Sequence, residues 1–408
     1  MLQLLKNKNF RRLFFGNLFS GFGQGTTFIG ISWYLVDTTN SGRFLGSTMM
    51  LSAIVIFFLG PYLGTLIDRF SRKRILVYGN VFGVIMLTVM AIWGYFYPYS
   101  EWMLMLLYLA TMFIIQIHFP TQTAIVQETF ERKDYGKINS LLEVENQIAS
   151  VLAGGIAGIM LSQYSLHAVI IMNALAYLLA VISLSMINYT MSFKDQNKFS
   201  GNSTWMKEIS EGWRFISRTR GFLIFGICSF MPYIVGMVSN FLAPVFVSQT
   251  LQAGVEVFST GEIMYAVGAI IAGIFLAQTI KSRKKEIATF TGILLLSMTL
   301  CAMVWINQSW SFILMFFILG WSTASTRLFS LNIYMEIIPE NLMGRIMSFL
   351  NVISLIFRVL LIGIFTGTID NIGAGIGFYT LSALLVIAAM GISYSLRKMN
   401  RSQENAML

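Results

Sequence analysis

Apolar runs of about 20 residues recur along this whole 408-residue chain, separated by short polar gaps, and that rhythm restricts the fold to helices that cross a lipid bilayer. No backbone amide facing hydrocarbon can stay unpaired, and roughly 20 residues of helix cover a core of roughly 30 Å. The rule marks twelve spans, at about 13–36, 44–67, 75–96, 102–126, 139–163, 167–189, 222–247, 260–280, 287–306, 311–335, 346–369 and 374–396. With 56% hydrophobic and 11% charged residues, the composition does not fit a soluble protein of this length.

The distribution of charge orients these spans. All but three of the 28 Lys and Arg residues occupy alternate gaps. They are Lys6, Lys8, Arg11 and Arg12; Arg69, Arg72, Lys73 and Arg74; Arg132, Lys133 and Lys137; six between 190 and 221; Lys281, Arg283, Lys284 and Lys285; Arg345; and Arg397, Lys398 and Arg401. Arg43 alone falls in the other set of gaps. Basic residues are retained in cytoplasmic loops, so these gaps and both termini are expected in the cytoplasm. The net charge of +10 then reads as topology against an anionic leaflet, not as nucleic-acid binding.

Cys228 and Cys301 lie inside apolar runs without metal-site or disulfide spacing, and read as small core hydrophobes. The start, MLQLLKNKNFRRLF, lacks a short apolar core with a small-residue cleavage site, so the first span is expected to remain as an anchor.

The one long polar break, 189–221, divides the spans six and six. Residues 1–189 are expected to form an N-terminal six-helix bundle, 190–221 a cytoplasmic linker, and 222–408 a C-terminal six-helix bundle with a short tail. Within the linker, Trp205, Ile209, Trp213 and Ile216 recur every three or four residues, the apolar face of an amphipathic helix lying along the membrane surface. The fold class is all-α and polytopic, and two bundles with a tether suit a rocking transporter.

The loop after the second span reads Gly64-Thr-Leu-Ile-Asp68-Arg69-Phe-Ser71-Arg72-Lys73-Arg74-Ile-Leu76. It resembles the G-x-L-a-D-r-x-G-r-k-x-x-l signature of the major facilitator superfamily, departing from it at Ser71, where the family usually has Gly. The resemblance implies a cytoplasmic latch between the two halves, carried by Gly64, Asp68, Arg69 and Arg72. Orientation of the helix ends is the alternative role for the basic residues. A second segment, LGWSTASTRLFSLNIYMEIIPENLMGRIMSF, with Gly320, Trp321, Pro339, Glu340, Gly344 and Arg345, resembles bacterial enterobactin exporters. The run KEISEGWRFI is similar to macrolide-efflux facilitators. Both groups export from the cytoplasm, which implies the bacterial cell membrane as the site of action.

Polar groups within the spans are the candidate site residues. Gly21 and Gly25 in the first span, and Gly154, Gly155 and Gly158 in the fifth, would let helices touch. Glu143 and Glu145 open the fifth span; two residues apart, they cannot share a helix face, so at most one is expected to point into a cavity. An embedded carboxylate there is a candidate for proton coupling, with interfacial pairing to Arg69, Arg72 or Arg132 as the alternative. His118 is a third candidate, and a histidine hydrogen-bonded between helices is the simpler reading. Arg358 stands twelve residues beyond Ile346, roughly 18 Å of helix rise. Leaving it in lipid would cost at least about 2.5 kcal/mol, so it must face an acid, carbonyls or a watery cavity. Arg327 and Arg358 together suit bidentate capture of substrate carboxylates, or a structural pairing with an acid. Gln24, Trp33, Tyr233 and Asn240, in the first and seventh spans, are further candidates for lining a substrate path, although most such residues pack.

These features predict a secondary efflux transporter working by alternating access and proton antiport, with a metallophore (a siderophore or opine-type chelator) as substrate. Macrolide or multidrug efflux is the alternative. No cofactor or metal is expected, the proton gradient supplying energy, and the partners are a small-molecule substrate and membrane lipid around a monomer. A polytopic membrane enzyme would need a metal cluster or a nucleophile with its base, and His118 and His167 stand 49 positions apart. No phosphate-binding G-x-x-x-x-G-K-[ST] run occurs.

Overall fold

The computed structural model describes residues 4, 6–131, 134–189, 221–279, 285–338 and 340–407. All regular structure among them is helical. In chain order the helices are α1 (Lys8–Thr39), α2 (Arg43–Arg69), α3 (Arg72–Phe96), α4 (Glu101–Thr129), α5 (Tyr135–Gln163), α6 (Leu166–Ser185), α7 (Phe222–Val245), α8 (Val255–Thr279), α9 (Lys285–Ile306) and α10 (Ser309–Ile337). The last helical stretch, Glu340–Met407, breaks at Gly373, whose φ of 77° and ψ of 157° glycine alone adopts readily. Its arms, 340–372 and 374–407, are α11 and α12. The spans expected at 346–369 and 374–396 are thus separated by one residue's backbone.

Ten stretches of the described residues are long and apolar enough to cross a membrane, the last of them, Ile346–Lys398, holding both α11 and α12. The chain is a multi-pass membrane protein. α1 falls outside the ten although its 32 residues, roughly 48 Å of rise, exceed the bilayer core. Asn17, Ser20, Gln24, Thr26, Thr27 and Ser32 are buried on it, so its inward face is polar and its mean hydropathy low. The amphipathic helix predicted between Trp205 and Ile216 lies outside the described residues.

The chain divides into two compact units, residues Met1–Phe199 with Ala253–Ile263, and Ser200–Gln252 with Met264–Leu408. In the first, α6 lies between α1 and α3: the Tyr177 ring fills the space left by Gly23 and Gly83, where a Cβ would come within 3.0 and 2.9 Å of it. Asn173 of α6 donates from Nδ2 to Thr27 Oγ1 at 2.8 Å and accepts from Thr26 Oγ1, fastening the same pair of helices. α1 meets α5 through small residues one turn apart, Gly21 against Ala149 and Gly25 against Ala153. At one end of the unit Phe10, Leu13, Leu76, Ile125, Val126, Ile138, Leu142 and Leu184 form an apolar core. Gly154 and Gly158 of α5 accept Ile263 and Ser259, so these glycines serve close packing.

The second unit repeats this plan. α12 lies against α7 through Gly377 and Leu242, and against α9 through Ser382, whose Oγ donates to the Ser297 carbonyl at 2.9 Å. Neither cysteine is in a disulfide; both are half-buried, Cys301 Sγ lying 3.0 Å from Ser382 Oγ. Gly320 of α10 brings its backbone against Tyr265 of α8 so closely that a Cβ would reach the carbonyl oxygen at 2.0 Å.

Candidate functional site

Three helices of the first unit turn polar faces toward one cavity of about 210 Å³. α1 supplies Asn17, Gly21 and Gln24, spaced four and three residues apart on one face. From α4 come His118, Phe119, Gln122 and Thr123, and from α5 Asn139, Leu142, Glu143, Glu145 and Asn146. Pro120, inside α4, has no N–H to offer the Gln116 carbonyl, which interrupts the helix ladder at the level of the cavity. Glu145 stands ten residues into α5, roughly 15 Å of rise from the start of that helix.

The lining is rich in amides and carries carboxylates, with no Lys or Arg among the described residues. Glu145 is 3% exposed, and its Oε1 lies 4.0 Å from where a Cβ on Gly21 would stand. Glu143 is exposed and accepts from Gln147 Nε2 at 3.1 Å. Both nevertheless border the cavity, which corrects the expectation that only one would. The two lie about 200° apart around the helix, but a glutamate side chain is long enough for both to reach one wide opening. Neither pairs with Arg72, whose acid partner is Glu128. His118 is buried and lines the cavity, and no described residue hydrogen-bonds its ring, so the interhelical bond expected for it is not the arrangement found. Gln24 donates from Nε2 to Ser20 Oγ at 3.0 Å.

Asn17, Gln122, Asn139 and Asn146 are cavity residues that the sequence did not single out. Asn17 is 3% exposed, and neither its Oδ1 nor its Nδ2 has a hydrogen-bond partner among the described residues. A stripe of amides at helical spacing, Asn17 to Gln24 and Asn139 to Asn146, was the available signal.

The remaining candidates lie elsewhere. Trp33 is buried and stacks on Phe258 at 5.9 Å and 20°, so its ring is a packing element. Tyr233 and Asn240 belong to α7 of the second unit, exposed and half-buried. In the same unit Arg327 is exposed on α10, and Arg358 is half-buried on α11 with its Nε buried and unpartnered.

Of the latch residues, Gly64, Asp68 and Arg69 belong to α2, but their side chains lie outside the described residues. Arg72 begins α3 and places Nε 3.3 Å from Glu128 Oε1, near the end of α4. The Tyr189 hydroxyl donates to the other oxygen of Glu128. Burial, and next the bond to Glu128, push Tyr189 up to about 12, so it stays a donor. In the second unit Lys285, at the start of α9, pairs likewise with Glu336 near the end of α10.

Comparison with known proteins accords with this arrangement. Over 371 residues the chain is 22% identical to macrolide efflux protein A of Streptococcus pyogenes, covering 89% of each chain. It is 20% identical over 256 residues to the staphyloferrin A transporter of Staphylococcus aureus, 62% of this chain and 63% of that one. The nucleoside transporter NupG has a similar fold, with a TM-score of 0.73, 13% identity and coverage of 95% and 99%. Residues 13–362 match the family described as Major Facilitator Superfamily. With its two helical units, its polar cavity and this match over most of its length, the chain belongs to the major facilitator superfamily of transporters.

Proposed function

We propose that this transporter exports a small, polar metallophore from the cytoplasm by alternating access, in exchange for protons. The observation that carries the reading is the lining of the α1–α4–α5 cavity: amides, a histidine and two carboxylates, with Phe119 and Leu142 as its large apolar members. Such walls offer a polar chelator hydrogen bonds from three helices. Arg358, half-buried in the second unit, supplies a guanidinium for chelator carboxylates. The similarity to a staphyloferrin A transporter supports the same substrate class. Glu145, buried in a cavity whose described lining residues include no Lys or Arg, is the proton carrier. In this reading the chain lies in the bacterial cell membrane with both termini cytoplasmic, an orientation that its basic gaps support.

Macrolide export is the second reading, favoured by similarity over 89% of both chains to a macrolide efflux protein. The two separate in a strain lacking the gene. The chelating capacity of its spent medium should fall several-fold, return with the wild-type gene and not with Arg358→Ala, while erythromycin resistance stays unchanged. Unchanged medium with increased erythromycin sensitivity would replace the first reading by the second.

A further inference from the structure

We infer that the α1–α4–α5 cavity is a subsite for a protonated nitrogen on the cargo, held between the Glu145 carboxylate and the Asn17 amide. The inference rests on the export reading for the identity of the cargo, and on the cavity alone for its chemistry.

Three observations converge. Asn17 is buried, borders the cavity, and has neither amide atom satisfied. A buried polar group without a partner is destabilising, so its neighbourhood favours a ligand that completes it. Glu145 is equally buried and lies against Gly21, one helical turn along α1 from Asn17, so carboxylate and amide share a wall. Among the described residues the lining holds carboxylates and no Lys or Arg. The Glu145 carboxylate repels an anionic group and attracts a cation.

An ammonium suits the chemistry of these walls. It donates to Glu145 and to Asn17 Oδ1, leaving Asn17 Nδ2 to donate to an oxygen beside the nitrogen on the same molecule. Gln122 and His118, both buried at the cavity, add acceptors on the facing helix. The cavity volume of about 210 Å³ lies below the roughly 300–1,000 Å³ of pockets that hold a drug-sized molecule, so this site grips one head of the cargo. A carboxylate-only chelator meets amide donors here but also the Glu145 carboxylate, which repels it. The cargo class thereby narrows to chelators bearing basic nitrogen as well as acid groups.

The test uses the purified full chain in lipid nanodiscs and three defined probes: triethylenetetramine (nitrogens only), ethylenediamine-N,N′-disuccinate (nitrogens and carboxylates) and citrate (carboxylates only). Calorimetric titration should rank both nitrogen-bearing probes at least tenfold tighter than citrate. Glu145→Gln and Asn17→Leu should each weaken those two by about tenfold and leave citrate unchanged, with Glu145→Asp partly restoring the ranking. Citrate binding as tightly as the other two overturns the inference, and this arm needs no variant to fold. Survival of the ranking in both Glu145→Gln and Asn17→Leu overturns it equally. A preserved ranking with unchanged medium chelation on gene deletion would retain the subsite and remove the metallophore reading; the reverse pair would remove the subsite alone.

Discussion

Arg72, at the start of α3, lies 3.3 Å from the carboxylate of Glu128, near the end of α4. Lys285 and Glu336 repeat that pairing between α9 and α10 in the second unit. The latch motif therefore contains a residue already engaged within its own bundle. Partly exposed pairs contribute little, about 0–1 kcal/mol, because water screens them. Arg72→Gln and Glu128→Gln should each lower stability slightly, and the double variant should be no worse than the poorer single one. Thermal unfolding of the four proteins gives this coupling, expected at about 1 kcal/mol or less. Full additivity would show that the pair does not interact.

The approach of α1 to α5 depends on the absence of a side chain at Gly25. A Cβ there would come within 2.7 Å of Ala153 Cβ. Gly25→Ala should cost about 1–3 kcal/mol through overpacking. Ala153→Gly in the same chain should recover most of that loss, because it vacates the occupied space. Stability assays in detergent would show the rescue, and its absence would mean that the two helices are spaced by something else.

Tyr177 behaves as a ring with a misplaced hydroxyl. Its side chain is 1% exposed between Gly23 and Gly83, and its OH has no hydrogen-bond partner. Tyr177→Phe should raise stability by about 1 kcal/mol or more, since an unsatisfied buried hydroxyl is removed. Tyr177→Ala should lower it by about 3–5 kcal/mol, because α6 then loses its contact with both glycines. A Phe variant less stable than the parent would reveal a hidden partner for the hydroxyl.

Much of the helical layout was legible because each apolar run has basic residues near one end, and the break between α11 and α12 falls at a glycine within a short polar stretch. The cavity was not. Isolated amides such as Asn17 and Gln122 carry no message until their helices are paired, and only then do Asn17, Gly21 and Gln24 form one wall. Trp33 illustrates the converse: an aromatic in a span reads equally as lining or packing, and its partner Phe258 comes from 225 positions away. Glu143 and Glu145 are chemically identical in sequence, and burial alone separates them.

That separation gives the most direct test of the account. Everted membrane vesicles are energised by respiration and given the chelator purified from the wild-type strain's own spent medium. The wild-type protein should accumulate it several-fold, a protonophore should abolish the accumulation, Glu143→Gln should retain most of it, and Glu145→Gln should have none. Accumulation that persists in the Glu145→Gln vesicles, or in the presence of the protonophore, would contradict proton exchange through the α1–α4–α5 cavity.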